Sequence, residues 1–156
     1  MKSVPRKFSP DGILSRLRED GLRITAGRRR ILEALFHAKV PLSLSEIQSA
    51  ARGSDGEQPD YATVFRMIAV LERLHIVHKV NLQRSCSYFE LCDPNRHYDH
   101  IVCTSCGKVV LIKEPCPLGG IESRIAEKYG FEDLTHSLEF FGRCGDCGPG
   151  SAPAKP

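Results

Sequence analysis

Residues 60–91 read DYATVFRMIAVLERLHIVHKVNLQRSCSYFEL, and a change of rhythm inside this stretch decides the fold class. Asp60 can cap a helix whose apolar side chains Val64, Met67, Ile68, Leu71 and Leu74 recur every three or four residues, a single face at helical period. After His75 the period falls to two. Ile76–Leu82 and Ser85–Leu91 alternate apolar and polar residues and are rich in β-formers, the pattern of a hairpin. Upstream, Ser9-Pro10-Asp11 starts a helix with a hydroxyl cap, a proline at the first helical position and an acid at its positive end, and Ile13, Leu14 and Leu17 share one face before Gly21. Thr25 caps a second helix carrying Ile31, Leu32, Leu35 and Phe36 behind the basic run Arg28-Arg29-Arg30. Ser43-Leu44-Ser45-Glu46 fits a capping box for a short third helix with Leu44, Ile47 and Ala51, closed by Gly53. Several short helices followed by a hairpin is the order of a winged helix-turn-helix, whose last helix enters the major groove while the wing touches phosphate. A small α+β domain with no nucleic-acid partner shares the same pattern.

Charge leans the same way. The chain of 156 residues has a formal charge of +3, but residues 1–80 carry +5 and residues 81–156 carry −2. A polyanion would bind the basic half. The uncharged apolar runs, such as Met67–Leu71 and Val109–Ile112, are far shorter than a bilayer requires, and no apolar segment follows the basic N-terminus as in a secretory signal. A cytoplasmic protein is expected, with no membrane partner and no small-molecule substrate.

Beyond a polar turn, Asp93-Pro94-Asn95, the segments Asp99–Thr104 and Val109–Lys113 read as strands, Leu118–Tyr129 as a helix and Leu134–Phe141 as a third strand. The expected organisation is a winged-helix domain over residues 1–91, a hinge at 92–96, a second domain at 97–148 and a disordered tail at 149–156. A unit of roughly 50 residues needs a metal, a disulfide or a partner subunit to hold its core. Seven cysteines, an odd number, argue against a disulfide framework. Four stand in two pairs, Cys103-Thr104-Ser105-Cys106-Gly107 and Cys144-Gly145-Asp146-Cys147-Gly148. Each pair can turn both thiolates to one point because the glycine lets the backbone fold over the ion, and two pairs complete a tetrahedral zinc shell. The 37 intervening residues hold a strand, a helix and a strand. A thioredoxin-like redox pair fits less well, since neither pair opens a helix after a strand. The α+β fold class is therefore a winged helix followed by a small, zinc-stapled α/β domain.

Further metal-binding side chains gather near the hinge: His78, Cys92, His97, Asp99 and His100, with His136 beyond. An extended strand puts His97 and Asp99 on one face and His100 on the other, so two separate sites can form. His37 and His75 lie on helical stretches and read as packed or solvated. Cys86 and Cys116 have no assigned role.

Taken together, Gly21-Leu22-Arg23-Ile24-Thr25 with Arg28, Ala62-Thr63-Val64-Phe65-Arg66, His97-Tyr98-Asp99-His100-Ile101-Val102-Cys103, Cys106-Gly107 and His136-Ser137-Leu138 resemble the ferric uptake regulator (Fur) family of bacterial metal-dependent repressors, and within it the zinc uptake regulator branch. The resemblance spans about Gly21 to Cys147. It implies a homodimer whose second domain dimerises and whose metal-loaded form binds a palindromic DNA operator. It carries over the zinc shell of Cys103, Cys106, Cys144 and Cys147 intact. It places Tyr61, Thr63, Phe65 and Arg66 on the recognition helix, with Arg28 nearby and Arg23 toward the minor groove. Phe65 stands where the family usually has tyrosine, leaving apolar contact with a thymine methyl. His78, Cys92 and His100 match the zinc-sensing branch, with His97, Glu90 or Glu114 as the fourth donor; the family's histidine at Tyr98 and near Pro41 is absent, and Leu111 replaces a common acidic ligand. His97, Asp99 and His136 match a third family site whose glutamate has no clear counterpart among Gly119, Gly120 and Glu122. A site divided between wing, hinge and second domain would favour one arrangement of the domains when metal binds. An iron- or peroxide-sensing repressor is the alternative within the family. Outside it stand a hydrolytic zinc enzyme built on His97, Asp99 and His136, and a purely structural zinc-ribbon adaptor. A zinc deaminase lacks its second thiol at Pro115-Cys116-Pro117-Leu118-Gly119.

Overall fold

The computed structural model describes residues 8–93, 99–118, 120–132, 134 and 136–148. His97, most of the expected hinge at 92–96 and the expected tail at 149–156 lie outside the described residues. The chain divides into two compact units, residues 1–94 and 95–156.

In the first unit, α1 (Pro10–Glu19), α2 (Ala26–His37), α3 (Leu44–Ala50) and α4 (Tyr61–Arg73) each begin at a side-chain cap. The Ser9, Thr25 and Ser43 hydroxyls accept from the backbone N–H of Gly12, Arg28 and Glu46, and the Asp60 carboxylate accepts from Thr63. The Glu46 carboxylate returns the bond to the Ser43 N–H at 2.7 Å, completing the capping box. These caps fix where the helices start, and their apolar faces then meet. Leu14, Leu17, Ile31, Leu32, Ile47, Val64, Met67, Ile68 and Leu71 are buried in one core. Helix α3 ends at Ala50, before the expected Gly53, whose N–H bonds instead to the Glu57 carbonyl within the following loop.

Helix α4 ends abruptly. His75 takes φ 53°, a left-handed conformation that glycine adopts far more easily, and the Ile76 N–H reaches back to the Leu71 carbonyl at 2.8 Å. The chain then turns into β2 (Val77–Val80), which pairs antiparallel with β3 (Tyr88–Leu91) as the alternation predicts. A third strand, β1 (Leu42–Ser43), was not expected; it pairs with β3 in the register Leu42↔Phe89, so Ser43 both ends a strand and caps a helix.

The second unit is a three-stranded sheet in the order β5–β4–β6, with β4 (His100–Cys103) central, β5 (Val109–Leu111) antiparallel to it and β6 (Glu139–Gly142) parallel. Helix α5 (Ile121–Tyr129) lies between β5 and β6 in the chain. It begins later than the expected Leu118 because Gly120, at φ 79°, breaks the helical run just before it, and it has no side-chain cap. The third strand starts at Glu139 rather than Leu134. Among the described residues of this unit only Asp99, His100, Val102 and Cys103 are buried, and α5 buries none of its side chains. So thin a core leaves much of the unit's cohesion to other bonds.

Candidate metal centres and nucleic-acid face

The sheet register assembles the four cysteines. Cys103 closes β4 opposite Gly142 of β6, and the turn after each strand carries its pair onward, Cys103 with Cys106 and Cys144 with Cys147. All four sulfurs lie within 4.8 Å of one another, and Cys106 and Cys144 are 3.8 Å apart. An ion held tetrahedrally at ~2.3 Å from each sulfur requires sulfurs ~3.8 Å apart, so the cluster fits a zinc ion. Backbone N–H groups of Cys106 and Cys144 bring the Cys103 thiol down to about 5, whereas hydrogen bonds shared with the Cys106 and Cys144 sulfurs hold Cys147 up at about 12. Lys108 ion-pairs with Asp146 across the two turns at 3.1 Å.

A second cluster lies in the hairpin of the first unit. His78 on β2 faces Glu90 on β3 in register, and Cys92 follows β3 directly. The His78 ring lies between them, Nδ1 2.6 Å from the Cys92 sulfur and Nε2 2.9 Å from the Glu90 carboxylate. The bond to Cys92, then the one to Glu90, raises the imidazolium to about 10 against burial that opposes it. An ion bound through Nδ1 and the Cys92 sulfur would leave Nε2–H to donate to Glu90, the usual way a carboxylate orients a metal-binding histidine. Of the other donors expected for this site, His100 is buried on β4 of the second unit. Glu114 is exposed and accepts from the Lys113 N–H at 3.0 Å.

A third cluster lies wholly in the second unit. Asp99, Cys116 and His136 bring their donor atoms within 4.8 Å of one another. The His136 Nε2 lies 3.1 Å from the Cys116 sulfur, and its Nδ1 lies 2.7 Å from the Glu122 carboxylate. Sequence reasoning paired Asp99 with His136 but left Cys116 aside and found no clear counterpart for a glutamate. The missing signal was tertiary: a loop and the first turn of α5 carry these groups to a histidine far along the chain. The remaining thiol, Cys86, is exposed in the loop between β2 and β3.

Helix α4 carries the residues expected to meet nucleic acid. Burial of Val64, Met67, Ile68 and Leu71 turns Tyr61, Ala62, Phe65, Arg66 and Ala69 outward, with Phe65 57% exposed. The Thr63 hydroxyl donates to Asp60, leaving its oxygen lone pairs available. The Arg66 Nε donates to the Ala62 carbonyl at 3.2 Å. Arg23 is exposed beside α2, and the Arg28 guanidinium donates to the Arg23 carbonyl at 2.6 Å, which steadies the turn carrying both. An exposed aromatic with an arginine one residue later, on a helix packed by its opposite face, suits base-edge contact in a major groove. Among the described residues no helix is long and apolar enough to cross a membrane.

A model of the ferric uptake regulator family matches residues 19–141. The ferric uptake regulation protein of Neisseria meningitidis serogroup A is 31% identical over 136 residues, covering 86% of this chain and 92% of that protein. Among solved structures, the ferric uptake regulator of Vibrio cholerae superposes with a TM-score of 0.65 at 30% identity, covering 83% of this chain and 98% of that one. That of Pseudomonas aeruginosa, solved with manganese, gives 0.63 at 31% identity and covers 85% and 97%. Sequence and fold agree, and the chain belongs to the ferric uptake regulator family, whose members are metal-responsive, dimeric DNA-binding transcription regulators rather than enzymes.

Proposed function

We propose that this regulator is a zinc-responsive repressor that binds a palindromic operator in the cytoplasm as a metal-loaded homodimer. The observation that carries the reading is the Cys92 thiol 2.6 Å from the His78 ring. A thiolate–imidazole pair is a softer donor set than the carboxylates and imidazoles that suit iron or manganese, and it favours zinc. His78 and Cys92 bind the regulatory ion and Glu90 orients His78; the family resemblance, rather than any contact between the two units, is what adds His100, with His97 or Glu114, to the donor set. When bound, the ion supplies a cross-link that stabilises the DNA-binding conformation only as far as its affinity for that conformation exceeds its affinity for others. Cys103, Cys106, Cys144 and Cys147 hold a separate structural zinc. Tyr61, Thr63, Phe65 and Arg66 contact the operator, with Arg23 and Arg28 on its backbone and minor groove.

The second copy docks on the sheet of the second unit. Ile101, Val110 and Phe140 stand in one cross-strand row and are all exposed, a contiguous apolar strip suited to burial against a second copy.

A second reading, an iron-responsive repressor, draws on the names of the relatives above and on the Glu90 carboxylate at the His78 ring. Binding of selected duplexes, titrated at buffered free zinc and, anaerobically, at buffered Fe(II), separates the two. Zinc is expected to support binding at much lower free concentration; support by iron alone would overturn the reading. Cys92→Ser is expected to abolish the zinc response while leaving the structural zinc and the dimer intact.

A further inference from the structure

Asp60 and Thr63, at the start of α4, are tied to each other twice. One Asp60 carboxylate oxygen accepts from the Thr63 N–H at 2.8 Å, and the other accepts from the Thr63 hydroxyl at 2.7 Å. The hydroxyl bond first, then the backbone bond, holds the Asp60 carboxyl below its ordinary range, and the Arg66 charge adds to them. It stays an anion that can only accept. The chain entering this turn is fixed as well: Pro59 is buried, and its carbonyl accepts from the Gln48 side chain at 3.1 Å.

A hydroxyl has one hydrogen, and at Thr63 that hydrogen is committed to Asp60. Toward a duplex the Thr63 oxygen therefore presents lone pairs alone. Phosphate oxygens also only accept, so Thr63 in this state gains nothing from the DNA backbone, and phosphate repels the Asp60 anion beside it. The donors in the major groove are the N6 amino group of adenine and the N4 amino group of cytosine, whereas thymine O4 and guanine O6 and N7 accept. Resting on the reading that Thr63 contacts the operator, we infer that Asp60 makes Thr63 an acceptor-only group that selects a base with an exocyclic major-groove amino group, adenine or cytosine, at one position of each half-site. Thr63 touches the base. Asp60 is a positioning residue that sets the direction of the hydroxyl. Arg66 supplies donors and Phe65 apolar surface on the same helix, so Thr63 adds the acceptor that those two lack.

The test is the base preference of the full-length regulator, read from duplexes enriched out of a random library with zinc or, anaerobically, Fe(II), whichever supports binding. The unsubstituted protein should favour adenine or cytosine, by roughly 2- to 10-fold, at one position where Thr63→Val shows no preference, the net effect of a single hydrogen bond. Asp60→Asn keeps the cap of α4, but its amide can donate to the Thr63 oxygen and turn the hydroxyl outward as a donor. Preference at that position should then move toward thymine or guanine, a switch that a merely structural role for Asp60 would not produce. Identical profiles in all three proteins, or a position read by Thr63 that favours thymine or guanine from the outset, would overturn the assignment and leave the regulator reading intact. Failure to enrich any duplex would overturn both. A measurement on the DNA side guards against misfolded variants: nebularine in place of the adenine, or pyrimidin-2-one in place of the cytosine, deletes the amino group alone. It should cost the unsubstituted protein more affinity than it costs Thr63→Val. No loss in the unsubstituted protein, or an equal loss in both, would refute the contact.

Discussion

At His78 a proton and a metal ion compete for one ring, because Nδ1 faces the Cys92 thiol while Nε2 is held by Glu90. In the metal-free protein these bonds raise the imidazolium from 6.5 to about 10, so their contribution to stability is complete below about 6.5 and disappears as pH rises toward 10. Zinc must displace that proton. Its apparent affinity at this site is expected to rise about tenfold for each pH unit above neutrality, as read by competition with a chromophoric chelator; a flat profile would place the ion elsewhere. At the DNA face, Arg66→Ala should weaken operator binding by roughly 1–3 kcal/mol and random-duplex binding much less, in paired mobility-shift titrations. Equal losses would reduce Arg66 to a phosphate contact. His78 and Cys92 stand out in the sequence because imidazole and thiol are rare enough to notice beside a hinge. Cys116 and Glu122 do not, since nothing local to either residue points at His136.

The elements of the first unit were readable because capping is local: a hydroxyl or carboxylate and the N–H that meets it lie three residues apart, as at Ser9, Thr25, Ser43 and Asp60. Strand β1 escaped because two residues show no period, and only their partners on β3 make them a strand. The start of α5 and of β6 was misplaced for a related reason: residues with helical or β-forming character continue past the point where the backbone turns away. Two substitutions probe the local devices. Ser43→Ala, which removes the capping hydroxyl of α3, should cost about 1 kcal/mol in urea unfolding. His75→Gly relieves a left-handed residue at the end of α4 and should gain up to about 1 kcal/mol, after the greater chain entropy of glycine is set against the relief. A loss instead would mean that the His75 side chain does more than occupy the turn.

At the scale of the molecule, two units of different construction share one chain. The first holds itself together by a packed apolar core, and the second buries few side chains among its described residues, which leaves the proposed structural zinc and the proposed subunit contact to hold it. Ile101→Glu, in the middle of the exposed row, should give a monomer by light scattering and lose roughly 100-fold or more in operator affinity, because each half-site must then be bound separately. A dimer that survives the charge would move the subunit contact elsewhere.

The parallel pairing of β4 with β6 has a last consequence. It joins a segment made early in the second unit to one made near its end, and half of the four-thiol shell lies past that final strand. A ribosome that has released the chain only through α5 has produced Cys103 and Cys106 but neither of their partners. Capture of the proposed structural ion thus waits until β6 and the turn after it have been made, and a product cut short before Cys144 would be left without its clasp and open to proteases.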